Sequence, residues 1–363
     1  MLENGVINRF QLWLLEVNFT IGSALLIIPS TIVAKSKQDG WISMFLGTLL
    51  AIGLTYIMVS LAEQFPNQTL VGITETLLGT MLGKGIGLLY AWFFLHLSAL
   101  VMRNATDFVT TAIFPETPMI LFSIMAGVLL YMVINQGIEG IGRSNEFFSL
   151  FTSGGFWITL FLLIPEMKFK NVYPIFAEGF KPVLRGTVPT LGFPFAETIA
   201  FLMILPFVNQ RKRIKSVFIS GVVVGGLSLF FVVLGTILVL NVRPTEMSLF
   251  ATFNMARLID VGRFLTRVEA VIALSYMLMI FIKMTISFYA GILVIAQVFH
   301  LSDYRPIVMP LVFIVVALSV ILNKNIVETF EFATTTWTPY ALLFGFVIPS
   351  ILLAISYFKQ KRL

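Results

Sequence analysis

The stretch NFTIGSALLIIPS, residues 18–30, decides the fold. It lies inside an apolar run long enough to cross a bilayer, yet it carries Thr20, Gly22, Ser23 and Pro29. Gly22 loosens a helix and Pro29 removes a backbone donor. In hydrocarbon each unsatisfied backbone group costs several kcal/mol, so irregular backbone survives at that depth only where protein or a water-filled cavity covers it. Gly and Pro are also frequent in membrane helices generally, so one weakened helix carries little meaning without a second.

The second is TLGFPFAETIAFLMILP, residues 190–206, which repeats the feature with Thr190, Gly192, Pro194 and an acidic Glu197. Both breaks open with Thr, a branched aliphatic residue and Gly. Interrupted spans in corresponding positions of two halves point to a transporter-type binding site. With an odd number of spans from each break, the second half inserts inverted relative to the first, and the two breaks meet near the midplane. Half-helix N-termini there offer N–H groups and positive dipole to a carboxylate, and the opposite ends offer carbonyls to an ammonium group or cation. That arrangement suits a small zwitterion such as an L-amino acid.

Composition supplies the bilayer. Of 363 residues, 58% are hydrophobic, 12% are charged and 36 are Phe, against about 25% charged in soluble domains. Roughly ten stretches approach the length needed to span: 9–33, 41–62, 85–113, 118–135, 146–165, 188–208, 216–241, 266–297, 306–322 and 334–357. The expected fold is an all-α membrane domain over 1–363, with one five-helix repeat at about 9–165, an inverted one at about 188–357, and helices 1 and 6 broken. Segments 66–84 and 245–263 are amphipathic and read as interfacial; 166–187 reads as a longer loop. The N-terminal segment has no basic leader or cleavage site and is expected to be retained. Lys and Arg divide almost evenly between the two sets of loops. The dense clusters RKRIK (211–215) and KQKR (359–362) fall on one face, which places that face and both termini in the cytoplasm.

Chemistry is largely excluded. With no cysteine there is no thiolate catalysis or zinc–thiolate site. Two histidines with no H-E-x-x-H spacing leave no metal motif, and Gly83, Gly85 and Gly87 lack the preceding strand of a phosphate loop. The reading is a non-enzyme without cofactor, metal or nucleic-acid partner.

Ionisable groups inside spans are costly and face a cavity or a partner. Glu197 lies just past the second break and contacts either a ligand ammonium, the facing half-helix or its own broken backbone. Lys283, in MLMIFIKMTISFY, serves as a built-in cation, as a proton carrier, or as partner to Glu197 or Glu16. Arg103 and Asp107 are four apart on one helix face and read as a structural pair, with docking of a partner as the sharper alternative. His96, on the same side of that span, either lines the cavity or is a hydrogen-bonded core residue.

Several stretches in order resemble the spore germination protein B-subunit family, membrane components of germinant receptors. They are FTIGSALLIIPS, DGWIS (39–43), RNATD (103–107), GIEGIGR (137–143), VYPIFAEGFKPVLRGT (172–187), GFPFAETIAFLMILPFVNQRKRIKS (192–216) and LTRVEAVIALSYML (265–278). That family is similar in turn to the amino acid–polyamine–organocation permeases, with ten core helices in two inverted repeats. The resemblance implies a ligand against Thr20, Gly22, Ser23 and Ala24 in the first break and Gly192, Phe193, Phe195 and Glu197 in the second, with the third and eighth helices as walls. Where many permeases carry a second glycine, this chain has IGSAL. The resemblance further implies a sensor working beside an A subunit and a lipoprotein C subunit in the spore inner membrane. A proton- or sodium-coupled amino acid transporter and a membrane scaffold with vestigial breaks are the competing readings.

Overall fold

Without water to satisfy backbone groups, apolar runs of this length fold as helices, and the chain is helical nearly throughout. The computed structural model describes residue 3 and residues 5–209, 212–259 and 268–360. Its helices are α1 (Arg9–Ile21), α2 (Ala24–Ser36), α3 (Gly40–Gln64), α4 (Leu70–Leu78), α5 (Thr80–Phe108), α6 (Met119–Ile134), α7 (Gly137–Leu162) and α8 (Phe180–Thr190). They continue with α9 (Ile214–Leu240), α10 (Val242–Met247), α11 (Ala251–Ala256), α12 (Glu269–Val298), α13 (Arg305–Ile321), α14 (Ile326–Thr334), α15 (Trp337–Leu342) and α16 (Ile348–Gln360). Among the described residues there is no strand, only an isolated bridge between Ile7 and Val208.

Among the described residues six helical stretches are long and apolar enough to cross a membrane, the bent pair α13/α14 makes a seventh, and α6 is a shorter apolar helix. Laid on the ten stretches of the sequence, the helices fall as α1/α2, α3, α5, α6, α7, α8 with the residues to 207, α9, α12, α13 and α15/α16. The core is one large cluster, in which α12 and α5 pack most extensively with α1 and α3 against α9, and a small second cluster of Leu163, Val239, Met255, Ile259 and Val268.

Both breaks are real. The first falls at Gly22, with φ 7° and ψ −118°, where the Gly22 N–H closes α1 on Asn18 O at 2.8 Å. The second falls at Phe193, whose φ −128° and ψ 111° are extended within an otherwise helical run, and the Phe193–Pro194 peptide is cis.

Four boundaries differ from the sequence reading. The fifth span, expected from 146, begins nine residues earlier, since α7 starts at Gly137. The sixth span starts at Phe180, so the expected loop 166–187 ends eight residues early. Lys181 and Arg185 are exposed on one side of α8, while Val183, Gly186 and Thr187 are buried on the other. Ser36 Oγ donates to Pro182 O at 3.0 Å and Ser43 Oγ to Val183 O at 2.9 Å. Gly186 packs so closely on Ser36 Oγ that no Cβ fits between them.

In segment 66–84, α4 packs against α5, and residues 80–84 belong to α5 itself rather than to an interfacial helix. Segment 245–263 is not simply interfacial either. The residues of α11 from Ala251 to Phe253 are buried, and Thr252 Oγ1 donates to Leu25 O at 2.5 Å, next to the first break. Residues 260–263 of that segment, residues 266 and 267 of the eighth span, residue 211 of the first basic cluster and residues 361 and 362 of the second lie outside the described residues.

Candidate functional site

The two breaks converge on a small cleft. Its lining is Ser23 from the first break, Phe193 and Glu197 from the second, Leu97, Leu100, Val101 and Asn104 from α5, Thr329, Phe332 and Ala333 from α14, and Trp337 from α15. The free volume is about 20 Å³, room for one water molecule. The cleft is closed around its polar groups.

Its chemistry centres on Glu197. The carboxylate Oε2 lies 2.5 Å from Lys283 Nζ of α12, with the two side chains 1% and 0% exposed. Trp337 Nε1 donates to Oε1 at 2.6 Å. The ammonium also sits over the Phe193 ring at 4.7 Å and the Phe19 ring at 5.2 Å. A buried charge is tolerable only when paired and hydrogen-bonded, and here each of the two breaks contributes to that pairing. Gly22 lies against the Lys283 stem, where a Cβ would come within 2.9 Å of Cδ. The first break is therefore shaped around a lysine on the eighth span.

Of the remaining candidates, Thr20, Gly22, Ala24, Gly192 and Phe195 are outside the lining. Thr20 Oγ1 donates to Glu16 Oε1 at 3.4 Å, and Thr20 packs on Gly225 of α9. Ala24 is buried in the first turn of α2. Gly192 lies against the backbone of Thr338, its missing side chain allowing the second break to approach α15. The tip of the Phe195 ring packs toward Gly226 of α9.

His96 sits behind Trp337 rather than on the cleft, among the rings of Trp92 at 5.4 Å, Trp337 at 5.8 Å and Tyr340 at 5.7 Å. Arg103 Nε donates to both Asp107 oxygens at 2.9 Å. Its Nη1 donates to the carbonyls of Asn323 at 2.7 Å, Val320 at 3.3 Å and Ser319 at 3.4 Å. The pair therefore ties α5 to the corner where α13 turns through 99° into α14.

Two polar features at the cleft are unspent. Ser23 Oγ is buried and without a hydrogen-bond partner among the described residues. The first turn of α2, beginning at Ala24, has no side-chain cap; Leu25 N–H reaches Gly22 O at 3.4 Å, and the positive dipole of that end suits an anion. The residues missed from sequence are those of α14 and α15. Trp337, in TTTWTPY, stands at the start of a span, but so do other aromatic residues, and nothing local marks it.

Residues 6–328 match the profile of a family described as spore germination protein. Spore germination protein KB of Bacillus subtilis (strain 168) is 26% identical over 365 residues, covering 99% of this chain and 97% of that protein. In structure the chain is similar to MhsT, solved in complex with L-phenylalanine, with a TM-score of 0.65 and 12% identity over 98% of this chain and 99% of that one. It is also similar to Mhp1, a nucleobase-cation-symport-1 family transporter, with a TM-score of 0.69 and 12% identity over 96% and 77% of the two chains. These neighbours are transporters, and their likeness identifies the fold as that of inverted five-helix repeats with broken first and sixth helices. The chain belongs to the spore germination protein family, as a permease-like multi-pass membrane protein.

Proposed function

We propose that the chain is the B subunit of a germinant receptor, binding a small nutrient germinant between the two breaks and signalling its presence. The observation that carries this reading is the unspent polarity at the cleft, an uncapped α2 N-terminus beside an unpartnered Ser23 hydroxyl. A ligand carboxylate satisfies both. Its ammonium group meets Glu197, in exchange with Lys283 or Trp337. An L-amino acid is the ligand class with these two ends. Ser23, Phe193 and Glu197 make direct contact, while Thr20, Gly22, Ala24, Gly192 and Phe195 set the backbone of the breaks.

With room for one water, the cleft has to open before a ligand enters, so binding selects a second arrangement of the broken helices. The A subunit and the lipoprotein C subunit read that arrangement in the spore inner membrane, with both termini of this chain in the cytoplasm. The repeats are about 9–165 and a second that begins with α8 and runs to about 357. No bond is made or broken in this scheme, and the chain is not an enzyme.

A second reading, a proton- or sodium-coupled amino acid transporter, draws on Lys283, whose side-chain nitrogen lies buried between the breaks against Glu197. Purified protein in sealed liposomes, offered labelled L-amino acids, separates the two. Saturable label at about one per protein, kept when the vesicles are made leaky, supports the receptor. Label that accumulates beyond stoichiometry and escapes on leakage supports the transporter, and no label for any amino acid refutes the ligand class.

A further inference from the structure

Far from the cleft, the outer face of the bundle carries a groove of about 640 Å³ between the C-terminal halves of α7 and α9. Trp157, Phe161, Phe231 and Leu234 form its walls, and Met167 and Phe169 lie at its end. The volume is that of a ligand site rather than of surface roughness. Only a third of the apolar stretch of α7 is buried inside the protein, so the groove opens toward the bilayer.

The turn that follows α7 crosses the end of the groove. Lys168 N–H donates to Leu238 O at 3.0 Å, and Asn171 Nδ2 donates to the same carbonyl at 2.9 Å. This fixes two lysines, Lys168 and Lys170, at the level where the span leaves the membrane. Both are exposed, and among the described residues neither forms an ion pair. Glu166 is the acid of the same turn, also exposed and unpaired.

We propose that this groove binds an anionic phospholipid, with one acyl chain lying between α7 and α9 and the phosphate held by Lys168 and Lys170. The complementarity is twofold. The concave hydrocarbon wall takes a chain, and unpaired ammonium groups stand where the headgroup emerges. A neutral lipid satisfies the first and leaves the lysines unused.

The test is native mass spectrometry of the full-length chain in detergent, with phosphatidylglycerol and phosphatidylcholine of identical chains at equal concentration. Each lysine near a headgroup contributes about fivefold, so phosphatidylglycerol is retained over phosphatidylcholine by about thirtyfold. Replacing both lysines, Lys168→Gln with Lys170→Gln, brings the ratio to about one and leaves phosphatidylcholine retention unchanged.

Gly235→Leu fills the groove. A Cβ there meets only ordinary contacts, Met255 Sδ at 3.5 Å and Leu160 Cδ2 at 3.7 Å, and with the rest of the leucine in the groove the variant is expected to lose both lipids. Equal retention of the two lipids by the unaltered chain overturns the proposal. So does a phosphatidylglycerol preference that survives the double lysine change, or lipid retention unaffected by Gly235→Leu. The lysine variants alter exposed positions and keep the test decisive if Gly235→Leu fails to fold.

Discussion

Lys283 and Glu197, 86 positions apart in the sequence, form an ion pair of 2.5 Å in the centre of the bundle, with 0% and 1% of their side chains exposed. The contact joins the eighth span to the second break, and Trp337 extends it to α15. Removing one partner of a buried pair leaves an uncompensated charge and costs about 3–5 kcal/mol, whereas replacing both with apolar or neutral groups is far milder. Lys283→Met and Glu197→Gln are each expected to lower thermal stability in detergent strongly, and the double variant to recover most of the loss. Additive losses in the double variant would show that the two residues do not act as a pair.

Gly22 sets how near the first break comes to that lysine. A Cβ would stand 2.9 Å from Lys283 Cδ and 3.0 Å from Phe19 O, so Gly22→Ala strains the contact and Gly22→Leu displaces the lysine stem. Gly22→Leu is expected to abolish the ligand response while the protein remains in the membrane, with Gly22→Ala intermediate. Response to germinant in spores, scored beside the amount of protein in the membrane fraction, checks this. A normal response from Gly22→Leu would remove the first break from the binding site.

Both breaks were legible because Gly and Pro in an apolar run are local signals. Glu197 and Lys283 were legible as candidates because any charge in a span stands out, but their pairing depends on the register of distant helices, and Glu16 was an equal contender. Residues 323–333 gave no such signal. Short and polar, they read as a gap between spans, yet they contain α14, which covers the cleft with Thr329, Phe332 and Ala333. Trp337 was hidden by abundance, since 14% of the chain is aromatic. The early start of α8 was masked by Lys181 and Arg185, which face outward from a helix whose other side is buried.

Ahead of the Ile7–Val208 bridge, the N-terminal segment is held by the carboxylate of Glu3. Glu3 accepts hydrogen bonds from Gly5 N at 2.6 Å, Ile138 N at 3.2 Å, Tyr289 Oη at 2.5 Å and Tyr304 Oη at 3.2 Å. Burial alone would raise its pKa, but the hydrogen bonds from Tyr289, Gly5, Ile138 and Tyr304 outweigh burial and leave it below the ordinary value of 4.5. A depressed carboxylate contributes stability that is fully present above its unfolded value and is lost as pH falls through its folded value. Protection of the chain at Glu3 and Gly5 from proteolysis is therefore expected to be full at neutral pH and to fade as pH falls from 4.5 through the lowered folded value. In Glu3→Gln that protection is weak at every pH. A variant with the same pH profile as the unaltered chain would show that another group anchors the segment.

Arg103 holds the entry to α14, which lines the cleft. Its guanidinium takes Asp107 on one side and three carbonyls, of Ser319, Val320 and Asn323, on the other, just before α14 begins. The far end of α14 is held by Lys35 Nζ on Thr334 O at 3.2 Å. Lysine in place of Arg103 keeps the charge but loses the planar fork, and each lost hydrogen bond to a charged group is worth about 1.5–3 kcal/mol. Arg103→Lys is expected to let α14 lift more often without unfolding the span beneath it. Because the chain has no cysteine, Ala333→Cys provides a single thiol at the cleft. Its rate of modification by a water-soluble thiol reagent should rise about tenfold or more when Arg103→Lys is added. An unchanged rate would mean that α14 is held by its own packing and that the Arg103–Asp107 pair serves the bundle alone.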